Sequence, residues 1–244
     1  MGKRSFAVFD IDGTLYRGTF FLQCVQRLIA RGIIPANYQE QIELYRRAWQ
    51  QREHPEAYRD FSMFLVQIWS QHAKGIPASE LDAVAQELVA DEKHRVYCYT
   101  RDLLAHCKAQ GMLTIAISGS FYEMVKPFAA HYGFDVSVGE ENQRDGDVLS
   151  GEVNQRTYAD KHVILQRLID KFDLTPQGSY AVGDTHNDSS MLAMVEHPIA
   201  FNPNQALFDE ARQRGWKVVV ERKNVIYELE PDGHGTFLLA APKR

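Results

Sequence analysis

Between residues 112 and 221 the chain repeats one pattern, a short apolar run followed by a helical stretch, and no other feature limits its fold as tightly. The runs are "MLTIAIS" (112–118), "FDVSVGE" (134–140), "GSYAVGD" (178–184), "HPIAF" (197–201) and "WKVVVE" (216–221). Each is short, apolar and rich in β-branched residues, which suits a strand buried on both faces. Helical stretches at 121–132, 158–171, 188–195 and 204–213 alternate with them. Such alternation builds a parallel sheet, because each helix carries the chain back to the edge where the previous strand began. The expectation is an α/β fold of three layers with helices on both faces of the sheet. Phe6, Ala7, Val8 and Phe9 supply one more strand at the start, and "DGDVLSGEV" (145–153) reads as a small hairpin beside the sheet.

Residues 16–95 have a different character. "TFFLQCVQRLIARG", ending at Gly32, "NYQEQIELYRRAWQQ", "PEAYRDFSMFLVQIWSQHAKG" and "PASELDAVAQELVAD" all place apolar residues at helical spacing. The chain therefore divides into a core of 1–15 with 96–244 and an all-helical insertion of 16–95, of four-helix type. In the last helix, Ser79 and Asp82 after Pro77 form a capping-box pattern. The C-terminal "NVIYELEPDGHGTFLLAAPKR" holds one more strand candidate and a turn at Asp232 to Gly235, and "FLLAA" either finishes the sheet edge or meets a second copy.

Composition narrows the partners. A chain of 244 residues with 45% hydrophobic content buries a substantial core, and its net charge of −5 with no Lys/Arg run argues against nucleic acid or an anionic membrane. A small molecule is the expected ligand. Cys24, Cys98 and Cys107 form neither a metal-type CxxC nor an even disulfide set, so they read as small buried apolar residues in a reducing cytoplasm. No leader-like stretch follows Lys3 and Arg4, since Asp10 and Asp12 interrupt it, and no run reaches the roughly 18 apolar residues needed to span a bilayer.

Parallel sheets gather their chemistry at the carboxyl ends of the strands. There the sequence places Asp10 and Asp12 after the first strand, Ser118-Gly119-Ser120 after the second, and Gly183-Asp184 with Asn187 and Asp188 after "YAV". Asp10 and Asp12, two apart in extended chain, face one site unless the turn after Ile11 redirects the second. Close carboxylates repel, so a cation sits between them or one keeps a proton. "DGT" is also ordinary turn chemistry, which accounts for Asp12 and Gly13 and leaves Asp10 unexplained. If the strand ends adjoin, Asp10 and Asp184 offer the hard oxygens magnesium prefers. His186 in their loop is a poor ligand for such an ion. "SGS" supplies a hydroxyl and free amides as an anion cradle, or a plain N-cap. Lys161 offers a fixed positive charge to the same anion.

In this order, Asp10-x-Asp12-Gly13-Thr14, Ser118, Lys161 and Gly183-Asp184-x-x-Asn187-Asp188, the chain resembles the haloacid dehalogenase superfamily of phosphohydrolases, in the phosphoserine phosphatase-like branch. The resemblance implies a Rossmann-like core with a helical cap inserted after the first motif. It implies Asp10 as nucleophile forming an aspartyl-phosphate, and Asp12 as general acid and then base. It implies Mg2+ held by Asp10, the Asp12 backbone carbonyl and Asp184, with Asp188 orienting from behind. Ser118, Gly119, Lys161 and Asn187 would hold the phosphoryl oxygens. An acid at Asp12 favours phosphate ester hydrolysis over halide or phosphonate chemistry, and a phosphomutase ranks lower because its cap differs.

Relatives that act on phosphoserine carry an acid in the first cap segment to hold the ammonium group. "TLYRGTFFLQCVQRLIARG" has none, and Thr19 stands near the expected place. Tyr16, Arg17, Thr19 and Arg59 are the candidates for substrate specificity, Arg17 and Arg59 toward an anionic substrate, with Tyr16, Phe20 and Phe21 lining the pocket or filling the cap core. The expected substrate is a small phosphomonoester. The alternatives are phosphoserine itself, a binding or regulatory protein that has lost catalysis, and a protein-interaction role for an exposed stripe on "FSMFLVQIW".

Overall fold

A computed structural model describes residues 2–157, 160–234 and 236–240. The first strand, β1 (Arg4–Phe9), is followed by α1 (Phe20–Ala30), α2 (Tyr38–Gln51), α3 (Ala57–His72) and α4 (Ala78–Glu92). Then come α5 (Cys98–Ala109), β2 (Leu113–Phe121), α6 (Tyr122–Tyr132), β3 (Val136–Asp145) and β4 (Val148–Gln155). The second half runs α7 (Lys161–Phe172), β5 (Leu174–Gly183), a 3₁₀ turn (His186–Asp188), α8 (Ser189–Leu192), β6 (His197–Phe201), α9 (Gln205–Arg214), β7 (Lys217–Arg222), β8 (Val225–Pro231) and β9 (Phe237–Leu239).

The strands form one sheet in the order β4-β3-β2-β1-β5-β6-β7-β8-β9, parallel from β3 to β7 and antiparallel at both edges. The fold is Rossmann-like. Period-two alternation sends Phe6 and Val8 to the face covered by α7, α8 and α9, and Ala7 and Phe9 to the face covered by α5, α6 and the inserted helices. Sheet order reverses at β1, which has β2 on one side and β5 on the other. A crevice at the carboxyl end of such a switch point is where an open α/β sheet receives a ligand.

Several expectations change. Helix α5 fills the stretch between residues 95 and 112, for which no element was expected. The Ser79/Asp82 capping box does not form. Pro77 is the N-cap without a side-chain bond, the Ala78 N–H donates to the Asp147 carbonyl at 2.8 Å, and Asp82 instead receives Arg144 at 2.7 Å. The hairpin is longer than 145–153 and turns at 146–147, with Leu149 exchanging backbone bonds with Ile76 and Gly75 at 2.9 Å beneath the inserted helices. The helix expected at 188–195 shortens to α8 behind its 3₁₀ turn. The start of the stretch 158–171, at 158–159, and Gly235 of the C-terminal turn lie outside the described residues. Cys24 and Cys107 are buried as expected, whereas Cys98 is exposed at the first position of α5. Among the described residues no helix is long and apolar enough to cross a membrane.

Candidate active site

β1 delivers Asp10 beside the end of β5, where its N–H donates to the Val182 carbonyl at 2.9 Å. Lys161, the first residue of α7, reaches across with its Nζ 2.5 Å from Asp10 Oδ1 and 2.6 Å from Asp188 Oδ1. All three side chains are buried. Burial opposes the charge on Lys161, but Asp10 and Asp188 outweigh it and hold the ammonium charged. The other oxygen of Asp188 accepts the N–H groups of Asp184 and Thr185 at 3.1 and 3.0 Å, closing a capping box on the 3₁₀ turn. Asp188 therefore fixes Lys161 on one side and Asp184 on the other.

Asp184 completes the group. Asp10, Asp184 and Asp188 each offer an oxygen within 4.8 Å of the others. Gly13 sits against it with φ of +82°, and a Cβ there would overlap Asp184 Oδ2, so only glycine leaves this carboxylate its room. Thr14 Oγ1 donates to Asp184 Oδ1 at 3.4 Å. One ammonium beside three clustered carboxylates, two of them buried and Asp184 half-buried, leaves excess negative charge, and a set made only of hard oxygens fits a divalent cation of the magnesium type. Burial, with Asp188 and Asp12 nearby, raises Asp10 to about 7 against the pull of Lys161. Asp184 is raised well above the usual carboxylate range, by burial and then by Asp10 and Asp188.

These shifts fix a sign. A carboxyl raised on folding binds its proton more tightly in the folded state, so stability is lost as pH rises from about 4 through about 7. In EDTA the thermal midpoint should fall between pH 5 and pH 8 by the equivalent of a few kcal/mol, at about 1.4 kcal/mol per pKa unit, and magnesium should recover most of it. A midpoint that is flat or rises over this interval in EDTA would contradict the charge balance described.

The turn after Ile11 does redirect Asp12. Its carboxylate accepts the Phe20 N–H at 2.7 Å and the Ser118 hydroxyl at 3.0 Å, at the start of α1 and away from the Asp10, Asp184 and Asp188 oxygens. Burial raises its pKa, with the Phe20 N–H the strongest opposing influence. Ser118 Oγ also accepts the Ser120 N–H at 3.0 Å, and Ser120 Oγ accepts the Phe21 N–H at 3.1 Å. The first amides of α1 are thus bonded to Asp12 and to the SGS segment, which lies within the end of β2 and not in a turn after it. Gly119 lies between these serines, and Asn187 is half-buried in the 3₁₀ turn. His186 stays out of the cluster, exposed beside Glu210 at 3.3 Å.

The remaining candidates separate. Tyr16 is fully buried, stacked on Phe20 at 4.2 Å with its hydroxyl donating to Glu92 at 2.9 Å, so it belongs to the core and has no free surface for a ligand. Phe20 is likewise core, and Phe21 packs on Phe121 at 5.1 Å. Arg59 lies on α3 with its side chain 75% exposed, paired with Glu56 one turn away. Thr19 is the N-cap residue of α1 and makes no side-chain cap bond. Arg17 is exposed, its guanidinium 5.3 Å from the centre of the Tyr97 ring. Sequence reasoning missed Ser120 as a partner of α1 and Tyr97 at the rim. "SGS" could have suggested the first, while nothing local marks Tyr97.

The family model for haloacid dehalogenase-like hydrolases matches residues 7–193, and the chain belongs to that family. It is similar to the phosphoserine phosphatase of Archaeoglobus fulgidus, 26% identical over 140 residues, a match covering 57% of this chain and 39% of that protein. The chain thus spans well under half of that relative. Among solved structures, a protein of unknown function from Bordetella pertussis Tohama I superposes with a TM-score of 0.68 at 21% identity, covering 89% of this chain and 98% of that one. A phospho-aspartyl intermediate analogue of phosphoserine phosphatase superposes at 0.61 with 18% identity, covering 91% and 95%. Likeness at these identities concerns the fold.

Proposed function

We propose that the chain is a magnesium-dependent phosphatase that hydrolyses a small phosphomonoester through an aspartyl-phosphate on Asp10. The observation that carries this reading is the buried Lys161 bridging Asp10 and Asp188 beside Asp184, at the switch point of the sheet. Lys161 occupies Asp10 Oδ1 and leaves the second oxygen to attack phosphorus. As the Asp10 O–P bond forms, the ester P–O bond breaks and Asp12 gives a proton to the departing oxygen, a role that the upward push of burial on its pKa favours. Asp12, now ionised, takes a proton from water, which attacks the aspartyl-phosphate and releases orthophosphate. Lys161, the Ser118 hydroxyl, the Gly119 amide and Asn187 hold the phosphoryl oxygens as charge redistributes. Magnesium, when bound by Asp10, Asp184 and the Asp12 carbonyl, supplies positive charge between an anionic nucleophile and an anionic ester. Asp188 is a positioning residue, since both of its oxygens are already spent on Lys161 and backbone amides.

Residues 16–95, the inserted helices, act as a cap, tied to the candidate site through the bonds from the Phe20 N–H to Asp12 and from the Phe21 N–H to Ser120. The partner is a small phosphorylated metabolite, with neither nucleic acid nor membrane, in a cytoplasmic setting that keeps the cysteines reduced. Phosphoserine is the second reading, favoured by the names of the relatives and weakened by the absence of any acid between Thr14 and Gly32. The test is phosphate release from p-nitrophenyl phosphate and a panel of small phosphomonoesters. Turnover is expected with magnesium and not with EDTA, and Asp10→Asn should abolish it. A folded protein that releases no phosphate from any member, or an Asp10→Asn variant as active as the parent, would overturn the reading.

A further inference from the structure

Two independent routes bring the rim residue Arg17 to the catalytic carboxylates. Along the chain, the carbonyl of its neighbour Gly18 accepts the Gly13 N–H at 3.1 Å, and Gly13 lies directly against Asp184. Through side chains, Arg17 covers the Tyr97 ring, which meets Phe201 edge-on at 4.9 Å, and the turn after Phe201 returns to Asp184, whose carbonyl accepts the Asn204 N–H at 2.9 Å. The Arg17 N–H donates to the Arg95 carbonyl and the Tyr97 N–H to the Leu15 carbonyl, at 2.8 and 3.0 Å, so the backbone beneath both side chains is fixed.

The guanidinium is exposed and takes part in no ion pair among the described residues. The acids that face Tyr97 are committed elsewhere. Glu221 spends both oxygens on the Cys98 and Tyr99 N–H groups, at 3.1 and 2.9 Å, and Asp184 belongs to the carboxylate cluster. Lys161, the cation inside the site, already spends two of its three N–H donors on Asp10 and Asp188. Arg17 is therefore a planar, permanently charged donor fork held over an aromatic ring and linked to Asp184 through Gly18 and Gly13.

We infer that Arg17, steadied on Tyr97, is a specificity residue that receives an anionic group on the leaving alcohol, so that the substrate is a phosphomonoester whose leaving group carries a carboxylate. This rests on the phosphatase reading of the same site. It also fits the missing acid near Thr19: the entrance offers a cation where an ammonium-bearing substrate would need an anion.

The experiment compares 2-phosphoglycolate with ethyl phosphate, two esters of similar size that differ in one carboxylate, on the full-length protein with magnesium. The parent protein should prefer 2-phosphoglycolate in kcat/KM by roughly tenfold or more, as a charge-assisted hydrogen bond would give. Arg17→Met should bring the ratio close to one, mainly through KM for 2-phosphoglycolate, and Arg17→Lys should fall between, keeping the charge and losing the fork. A ratio that Arg17→Met leaves unchanged overturns the inference, whether both esters slow together, which would assign Arg17 to the transferred phosphoryl group, or neither does. So does a parent protein that prefers ethyl phosphate. Absence of phosphate release from these esters and from p-nitrophenyl phosphate overturns the phosphatase reading itself, and the two failures are thereby distinct.

Discussion

Lys161→Met is expected to be folded only marginally in EDTA at pH 8 and to lose its phosphatase activity by about a thousandfold or more. Among the described residues the ammonium is the one cation paired with Asp10 and Asp188, at 2.5 and 2.6 Å in a buried setting. Removing one partner of a buried ionic group leaves the other charges uncompensated, which costs about 3–5 kcal/mol. Asp10 is already raised to about 7, and without Lys161 it rises further, so acidification lets the carboxyls take up protons and should return much of the lost stability. Denaturant unfolding at pH 8 and pH 6 in EDTA reads both effects. A loss below about 1 kcal/mol at pH 8 would mean that the pair contributes no more than a surface salt bridge and that the carboxylates are not held by this lysine.

Gly13→Ala should cost about a hundredfold or more in kcat/KM, because the added Cβ would occupy the place of the Asp184 carboxylate and force the candidate metal ligand aside. Its φ of +82° adds backbone strain of about 1–2 kcal/mol for any residue with a Cβ. Gly32→Ala separates the two effects. Gly32 has a similar φ of +71° but open space around its hypothetical Cβ, and it lies past the end of α1, far along the chain from the chemistry. Gly32→Ala should show the stability loss without the activity loss. If both variants lose stability equally and keep activity equally, Asp184 does not need the position described for it.

The candidate site was legible in the sequence where it follows from strand ends. Asp10, Ser118 and Asp184 each come directly after an apolar run, and parallel neighbours in the order β2-β1-β5 bring those ends together. Lys161 was legible only in company, since nothing in "DKHVILQ" distinguishes a buried lysine from a solvated one. What the sequence concealed depends on contacts between distant segments. The α4 capping pattern at Ser79 and Asp82 looks complete locally, yet the hairpin supplies the first amide with the Asp147 carbonyl and Arg144 claims Asp82. Arg17 and Arg59 look equivalent as exposed cations in the insertion. Tertiary structure places the first over Tyr97 and leaves the second paired with Glu56 on its own helix. For Asp12 beside Asp10 the sequence left two arrangements open, a shared cation or a retained proton. The sharp turn through Gly13 gives its carboxylate to α1 and Ser118, a position that suits a proton donor at the edge of the site.

The most direct measurement is chemical quenching of the reaction during turnover of a phosphomonoester with magnesium, followed by mass spectrometry of the peptide that carries Asp10. A peptide heavier by one phosphoryl group, with the modification on Asp10 and lost on treatment with base, is the expected result. Turnover with no phosphorylated peptide at early quench times, or with the group on any other residue, would contradict the assignment of Asp10 as the nucleophile.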